Sequence, residues 1–285
     1  MRSYLDCIPC FLRQALEASR MATDDETIHE HVLRQVLLDT QTLDMRQSPP
    51  AMGQRIHRLI RECTGDSDPY RRIKDKFNRV ALDLYPKLKA RVQESGNPVE
   101  TAVRFAIAGN IIDCGVNSHL DEAYVLRTVE DALAEPLIGE LADLEDRISG
   151  ARDALYLADN AGEIVLDRIL IERMPLEKVT VAVRGSPVLN DATMDDARAA
   201  GLQDLVRVVD NGSDAPGTIL EDCSGSFRQL FDDADLVIAK GQGNYETLSD
   251  VDRDIFFMLK VKCPVIAKDI GCPVGALVLR RSPGR

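Results

Sequence analysis

Two hydrophobic periodicities divide the chain. Up to about residue 150, apolar residues recur three and four positions apart in CFLRQALEASRMA, HEHVLRQVLLDTQ, GQRIHRLIREC and the run from Tyr70 to Gln93, the spacing of one buried helix face. Thr101 to Ile112, Glu122 to Glu135 and Leu137 to Ser149 continue the pattern, the last reading as a helix stopped by Gly150. Loops such as QSPPAMG and ESGNP punctuate these helices. From Ala151 onward, ALYLAD, KVTVAVR, VRVVD, LVIAK, IFFMLK and PVIAK are short runs rich in β-branched residues, and helix-length segments separate the first four. The expectation is a helical domain over residues 1–150. Residues 151–285 should form an α/β domain with a mostly parallel sheet, helices on both faces and right-handed crossovers. IFFMLK and VIAK are close enough to be an edge hairpin or two successive short strands.

Composition narrows the class. The 285 residues are 45% hydrophobic and 29% charged, ordinary for a globular chain and too apolar for disorder. With 35 Lys and Arg against 47 Asp and Glu, the net charge of −12 repels a phosphate backbone, and no basic patch offsets it, so no nucleic-acid partner is expected. Apolar runs are strand-length, far below the roughly 20 residues of a membrane helix. The opening MRSYLDCIPC carries an Asp and two Cys where a signal peptide needs an apolar stretch, so a cytoplasmic protein is expected. Seven cysteines, at 7, 10, 63, 114, 223, 263 and 272, are odd in number and scattered, unlike a disulfide framework. The four histidines lie at 29, 31, 57 and 119, so the second half has no imidazole of its own and is left with oxygen chemistry.

In open parallel sheets the ligand sits beyond the carboxyl ends of the strands. Those ends carry Asp159-Asn160-Ala161-Gly162-Glu163, Arg184-Gly185-Ser186 followed by Leu189-Asn190-Asp191, Asp210-Asn211-Gly212, and Lys240-Gly241-Gln242-Gly243-Asn244-Tyr245-Glu246. Asp159, Asn160 and Asp191 are hard oxygen donors suited to Mg²⁺ or Mn²⁺; alternatively, the two aspartates are helix N-caps. Lys240 ahead of Gly241 and Gly243 suits an anion at the mouth of the sheet, or a glycine turn with a solvated Lys. Arg184 with Ser186 reads as a second phosphate clamp, or as a surface ion pair. A dinucleotide fold is disfavoured, because ADNAGE stands where GxGxxG would and Arg184 where a ribose-binding acid would. A haloacid-dehalogenase-type site lacks its second acid, since Ala161 occupies that position, and no P-loop is present. In the helical half, Asn110 and Asp113 share a helix face among apolar neighbours, either at an exposed helix end or facing an interdomain cleft. Cys7 and Cys10 open the first helix as a CxxC pair, with structural, metal and redox roles all open.

CIPC with Arg13-Gln14, GNIID, DNAGE, LNDAT, KGQGNYE and CPVIAKDIG, in that order from residue 7 to residue 271, resemble the family first labelled domain of unknown function 89 (DUF89), the ARMT1-like damage-control phosphatases. The CxxC is similar to the prokaryotic branch. The resemblance implies a helical domain packed on a Rossmann-like, three-layer α/β/α domain, and hydrolysis of small phosphorylated metabolites with a divalent cation (Mg, Mn, Co or Ni). By the same resemblance, Asp159, Asn160 and Asp191 hold the metal. Asp159, Lys240, Asn110 and Asp113 are the catalytic set, with water or Asp159 itself as the nucleophile. Arg184, Ser186, Gly241, Gly243, Asn244, Glu246 and Glu163 face the phosphate. The eukaryotic sugar-phosphate signature Arg-Thr-x-Lys is absent near the C-terminus, so that substrate class does not carry over. Two other functions stand as alternatives: an S-adenosylmethionine-dependent carboxyl methyltransferase, against which the missing glycine fingerprint and ribose acid speak, and a non-catalytic module binding a phosphorylated metabolite with CIPC as a metal or redox switch.

Overall fold

Apolar spacing becomes helix through the first hundred residues of the computed structural model, which describes residues 1–109 and 122–282. Helices α1 (Cys7–Ala22), α2 (Glu26–Gln41), α3 (Pro49–Thr64), α4 (Arg71–Gln93) and α5 (Pro98–Ala108) follow one another. Local chemistry sets their ends: Asp25 caps α2, Asn97 caps α5, Pro49 and Pro50 open α3, and Gly65 closes it in the left-handed region. Next come α6 (Glu122–Ala134), strand β1 (Leu137–Gly139) and α7 (Leu141–Gly150). The helix expected from Leu137 therefore starts four residues late. Leu137–Gly139 instead pairs in parallel with β7 (Leu277–Ser282), and Gly139, at φ 134°, lies so close that a Cβ would meet Leu279 O at 1.7 Å.

The α/β part runs β2 (Ala154–Leu157), α8 (Glu163–Ile171), β3 (Val179–Val183), α9 (Met194–Ala199), β4 (Arg207–Asp210), α10 (Gly225–Asp233), β5 (Leu236–Lys240), α11 (Gly241–Leu248), β6 (Ile255–Lys260) and α12 (Pro264–Ile270). PVIAK is thus a helix rather than a strand. Extended Cys263 precedes it, Pro264 takes its first position and left-handed Gly271 ends it, so punctuation outweighs the β-branched run. The antiparallel neighbour of β6 is β7, LVLRRS, instead of VIAK.

The seven strands lie in the order β1-β7-β6-β5-β2-β3-β4, parallel from β6 through β4. From β2 the chain adds strands on one side through β4, then returns to add β5 and β6 on the other. The β2/β5 boundary is the topological switch point, where such sheets open a crevice. Alternation sends Tyr156, Val181, Ile238 and Phe256 to one face, packed with α4, α5 and α8, and Leu155, Leu157, Val237, Ala239 and Phe257 to the other, packed with Phe227, Phe231 and Ile266. Helices α1 to α3 enclose a separate cluster of Phe11, Val32, Val36, Met52, Ile56 and Ile60. Among the described residues no helix is long and apolar enough to cross a membrane.

One buried amide joins α4 to the loop after β2. Asn78 Nδ2 donates to Asp196 Oδ1 at 2.8 Å, and its Oδ1 accepts from Gly162 N–H at 2.7 Å. Replacing Asn78 by Leu strands both partners away from water, so Asn78→Leu is expected to cost about 2–4 kcal/mol. The measure is the urea unfolding midpoint at unchanged slope; an unshifted midpoint would refute this role.

Candidate active site

Two loops laced by backbone hydrogen bonds form the floor of a cleft. Ala192 N–H donates to Asp159 O at 2.8 Å, Ala161 N–H to Asn190 O at 2.8 Å, and Arg184 N–H to Ala192 O at 2.9 Å. Leu189, at φ 46°, is the one non-glycine residue with positive φ among the described residues, and it turns the chain back so that Asp191 bridges to Asn160. Asp159, Asn160 and Asp191 thereby meet beyond β2 and β3, each less than a tenth exposed. Gly241 stands against them from the end of β5. At φ 77° it needs no side chain, and a Cβ there would lie 1.8 Å from Asp159 Oδ2.

Lys240 is not at the mouth of the sheet. It shares parity with Leu236 and Ile238, so alternation sends it beneath α5 and α8, where it is fully buried. Its ammonium bonds Glu163 Oε1 at 2.7 Å, Asp167 Oδ1 at 2.5 Å and Ala106 O at 2.9 Å, which uses all three N–H donors. Glu163 is likewise buried and passes this order onward: Asn160 Nδ2 donates to Glu163 Oε2 at 2.9 Å and to Asp159 Oδ2 at 2.8 Å. Arg184 is buried behind the carboxylates rather than facing the cleft. Its Nε donates to Asp191 Oδ2 at 2.7 Å and Nη1 reaches Thr218 and Asn244 at 3.3 Å, while Nη2 lies 3.8 Å from Asp159 Oδ1 and has no hydrogen-bond partner among the described residues. Asn244 is a cross-brace, donating to Lys240 O at 2.7 Å and Ala158 O at 3.3 Å. Ser186 is exposed and does not join the cleft lining. Asn110 and Asp113 lie outside the described residues.

The cleft, about 440 Å³, is walled by Cys7, Cys10, Phe11, Arg13 and Gln14 of α1, by Pro49, Pro50 and Gly53 of α3, and by Tyr70. Opposite stand Gln242, Gly243 and Glu246 of α11, then Lys262 and Cys263 after β6. Lys262, Cys263 and the α1 wall were not expected as site residues. The strand-end rule finds the first two once it is applied to IFFMLK, whereas no local signal brings α1 to the sheet. Of the described histidines none lines the cleft. His57 is buried edge-on to Tyr70, and burial pushes its imidazole down to about 3.

The floor is suited to a cation. Burial raises the Asp159 carboxyl well above the usual range, and Glu163 and Asp191 add to the shift, against the pull of Arg184 and Lys262. Asn160 Nδ2 is engaged by Asp159 and Glu163, which leaves its amide oxygen as a neutral donor beside the two carboxylates. Two carboxylates, one amide oxygen and room for water fit a hard divalent ion such as Mg²⁺ or Mn²⁺.

Comparison with known proteins identifies the family. The damage-control phosphatase ARMT1-like domain matches residues 3–278. A damage-control phosphatase of Pyrococcus horikoshii is 34% identical, with 99% of each chain covered. One of Archaeoglobus fulgidus is 34% identical over 96% of this chain and 97% of its own length. The crystal structure of a DUF89 family protein from Pyrococcus horikoshii superposes with a TM-score of 0.88 at 33% identity, covering 99% of both chains.

Two outcomes follow from the buried charges. Lys240→Met leaves Glu163 and Asp167 facing each other without their cation, and is expected to destabilise by about 3–5 kcal/mol in urea unfolding; a loss under about 1 kcal/mol would contradict the network. Burial also pushes the half-buried Glu246 carboxyl up to about 7 from 4.5. Between those values the folded chain keeps a proton that the unfolded chain has released, so this group's contribution lowers stability as pH rises through the window, then levels off. Glu246→Gln is expected to flatten that slope and raise the thermal midpoint at pH 8; an unchanged profile would show that Glu246 titrates normally.

Proposed function

The chain belongs to the damage-control phosphatase ARMT1-like family, and we propose that it is a divalent-metal-dependent phosphatase acting on small phosphorylated metabolites. The observation that carries this reading is the meeting of Asp159, Asn160 and Asp191 on the cleft floor, with Asp159 held at raised proton affinity by burial and neighbouring acids. A divalent ion held by these three would neutralise phosphoryl charge and lower the pKa of a water. The chain's own residues do the rest. Glu163 and Lys240 orient the Asn160 amide, and Arg184 fixes Asp191 from behind. Lys240 and Arg184 are turned away from the cleft, so the phosphoryl oxygens fall to the cations that line it, Arg13 and Lys262. Phe11, Pro49, Pro50, Leu189 and Pro216 give the cleft apolar walls that exclude bulk water and strengthen these charge contacts.

The test is a panel of phosphate monoesters against Mg²⁺, Mn²⁺, Co²⁺ and Ni²⁺. Turnover is expected in at least one combination, lost on adding chelator and restored by the ion. Asp159→Ala is expected to lower kcat/KM by about a hundredfold or more while the chain remains folded. Turnover that survives chelation, or a fully active variant, would overturn the metal site.

A further inference from the structure

The cleft holds a second set of reactive groups that phosphate hydrolysis does not use. Cys7 opens the 16-residue helix α1, and Cys10 follows one turn later on the same face. Their environments differ. Cys10 is exposed and lines the cleft, with Arg13 Nη2 at 3.6 Å from its Sγ, so negative charge developing on that sulfur meets a guanidinium. Cys7 is buried, and Tyr4 N–H donates to its Sγ at 3.4 Å. Burial raises the Cys7 thiol, with smaller contributions in the same direction from Glu246, Cys263 and Cys10. A third thiol, Cys263, faces the same cleft, where Gln242 Nε2 lies 3.7 Å from its Sγ.

We propose that Cys7 and Cys10 are a redox-active dithiol on the wall of the phosphatase cleft, exchanging with low-molecular-weight disulfides, with Cys10 attacking and Cys7 resolving. In the first step the Cys10 thiol gives its proton to solvent and its sulfur attacks the external disulfide. A Cys10–S–S–R bond forms, the external S–S bond breaks, and one thiolate leaves to take up a proton. Cys7 then loses its proton, attacks the Cys10 sulfur and expels the second thiolate. The balance is two protein thiols oxidised by two electrons and one external disulfide reduced to two thiols. The new bond draws the Cys10 sulfur toward Cys7 and away from Arg13, which frees that guanidinium for an anion in the cleft. This last consequence rests on the phosphatase reading; the exchange itself does not.

The test equilibrates the full chain with graded mixtures of reduced and oxidised glutathione, quenches with acid, alkylates, and maps peptides by mass spectrometry. Two thiols are expected to disappear together, with a linked peptide joining Cys7 to Cys10. Cys7→Ser is expected to stop at a glutathione adduct on Cys10, and Cys10→Ser to leave Cys7 unmodified. In the reduced wild type, iodoacetamide should label Cys10 about tenfold faster than half-buried Cys63. A link through Cys263, an adduct on Cys7 in the Cys10→Ser chain, or full retention of both thiols in oxidised glutathione alone would overturn the proposal. Ester turnover is read separately on the two wild-type forms, where a lower KM after oxidation supports the release of Arg13 and an equal KM rejects it. Absence of turnover in both forms counts against the phosphatase reading and leaves the thiol mapping to stand by itself.

Discussion

The buried ammonium of Lys240 is the constraint from which the site is built. It joins the end of β5 to two carboxylates of α8 and to a carbonyl of α5. Removing that charge from water is costly, and the cost is offset only because all three donors are satisfied at 2.5–2.9 Å. The consequence travels outward. Glu163, pinned by Lys240, accepts from the Asn160 amide, which also donates to Asp159. The orientation of the Asn160 amide is thereby inherited from an ion pair one layer deeper.

Among the described residues this layer gathers four acids around two buried cations. Asp159, Glu163, Asp167 and Asp191 face two buried cations, Lys240 and Arg184. Within the Lys240 group burial pushes Asp167 up to about 7 despite its contact with the ammonium, and burial also raises Asp159 well above the usual carboxylate range. Such a set can lower its energy by taking up protons or a cation, and the position of Asp159 and Asp191 at the open side decides where that cation would enter. Arg184 is shared between the two aspartates, its Nε bonding Asp191 Oδ2 at 2.7 Å and its Nη2 pairing with Asp159 Oδ1 at 3.8 Å.

The floor of the site was legible in the sequence because strand ends obey a simple rule. Once ALYLA and VTVAV are strands, Asp159, Asn160 and the Asp191 loop must sit at one edge. Lys240 was legible only in part: its place at a strand end is written in LVIAK, but its burial follows from parity with Leu236 and Ile238, which matters only when helices cover that face. PVIAK misled for the opposite reason, since its β-branched residues speak for a strand while Pro264 and Gly271 dictate a short helix. Leu137–Gly139 has helical spacing with its neighbours, and only the edge offered by β7 makes it a strand. The α1 wall of the cleft could not be read locally, because it depends on how one packed cluster docks on another.

That docking is polar where it meets the sheet, which determines what kind of wall it provides. The cluster enclosed by α1, α2 and α3 has its own apolar interior, apart from the two cores on the sheet faces. Beyond β4, Asp214 accepts from Gln54 Nε2 at 2.7 Å and from Arg58 Nη2 at 2.5 Å, and also pairs with Arg61, all three on α3. Gln54 reaches Asp222 as well, at 2.7 Å, so one helix is held by two acids of the α/β part. Directional hydrogen bonds fix the register of α3 more sharply than apolar contact would, because a slide of one residue breaks every pair at once. Partly exposed ion pairs are also weakened by salt, whereas the buried floor around Lys240 is screened far less. The cleft therefore combines a floor whose geometry is set by desolvated charge with a wall held by partly exposed ion pairs, which salt screens more strongly than the floor.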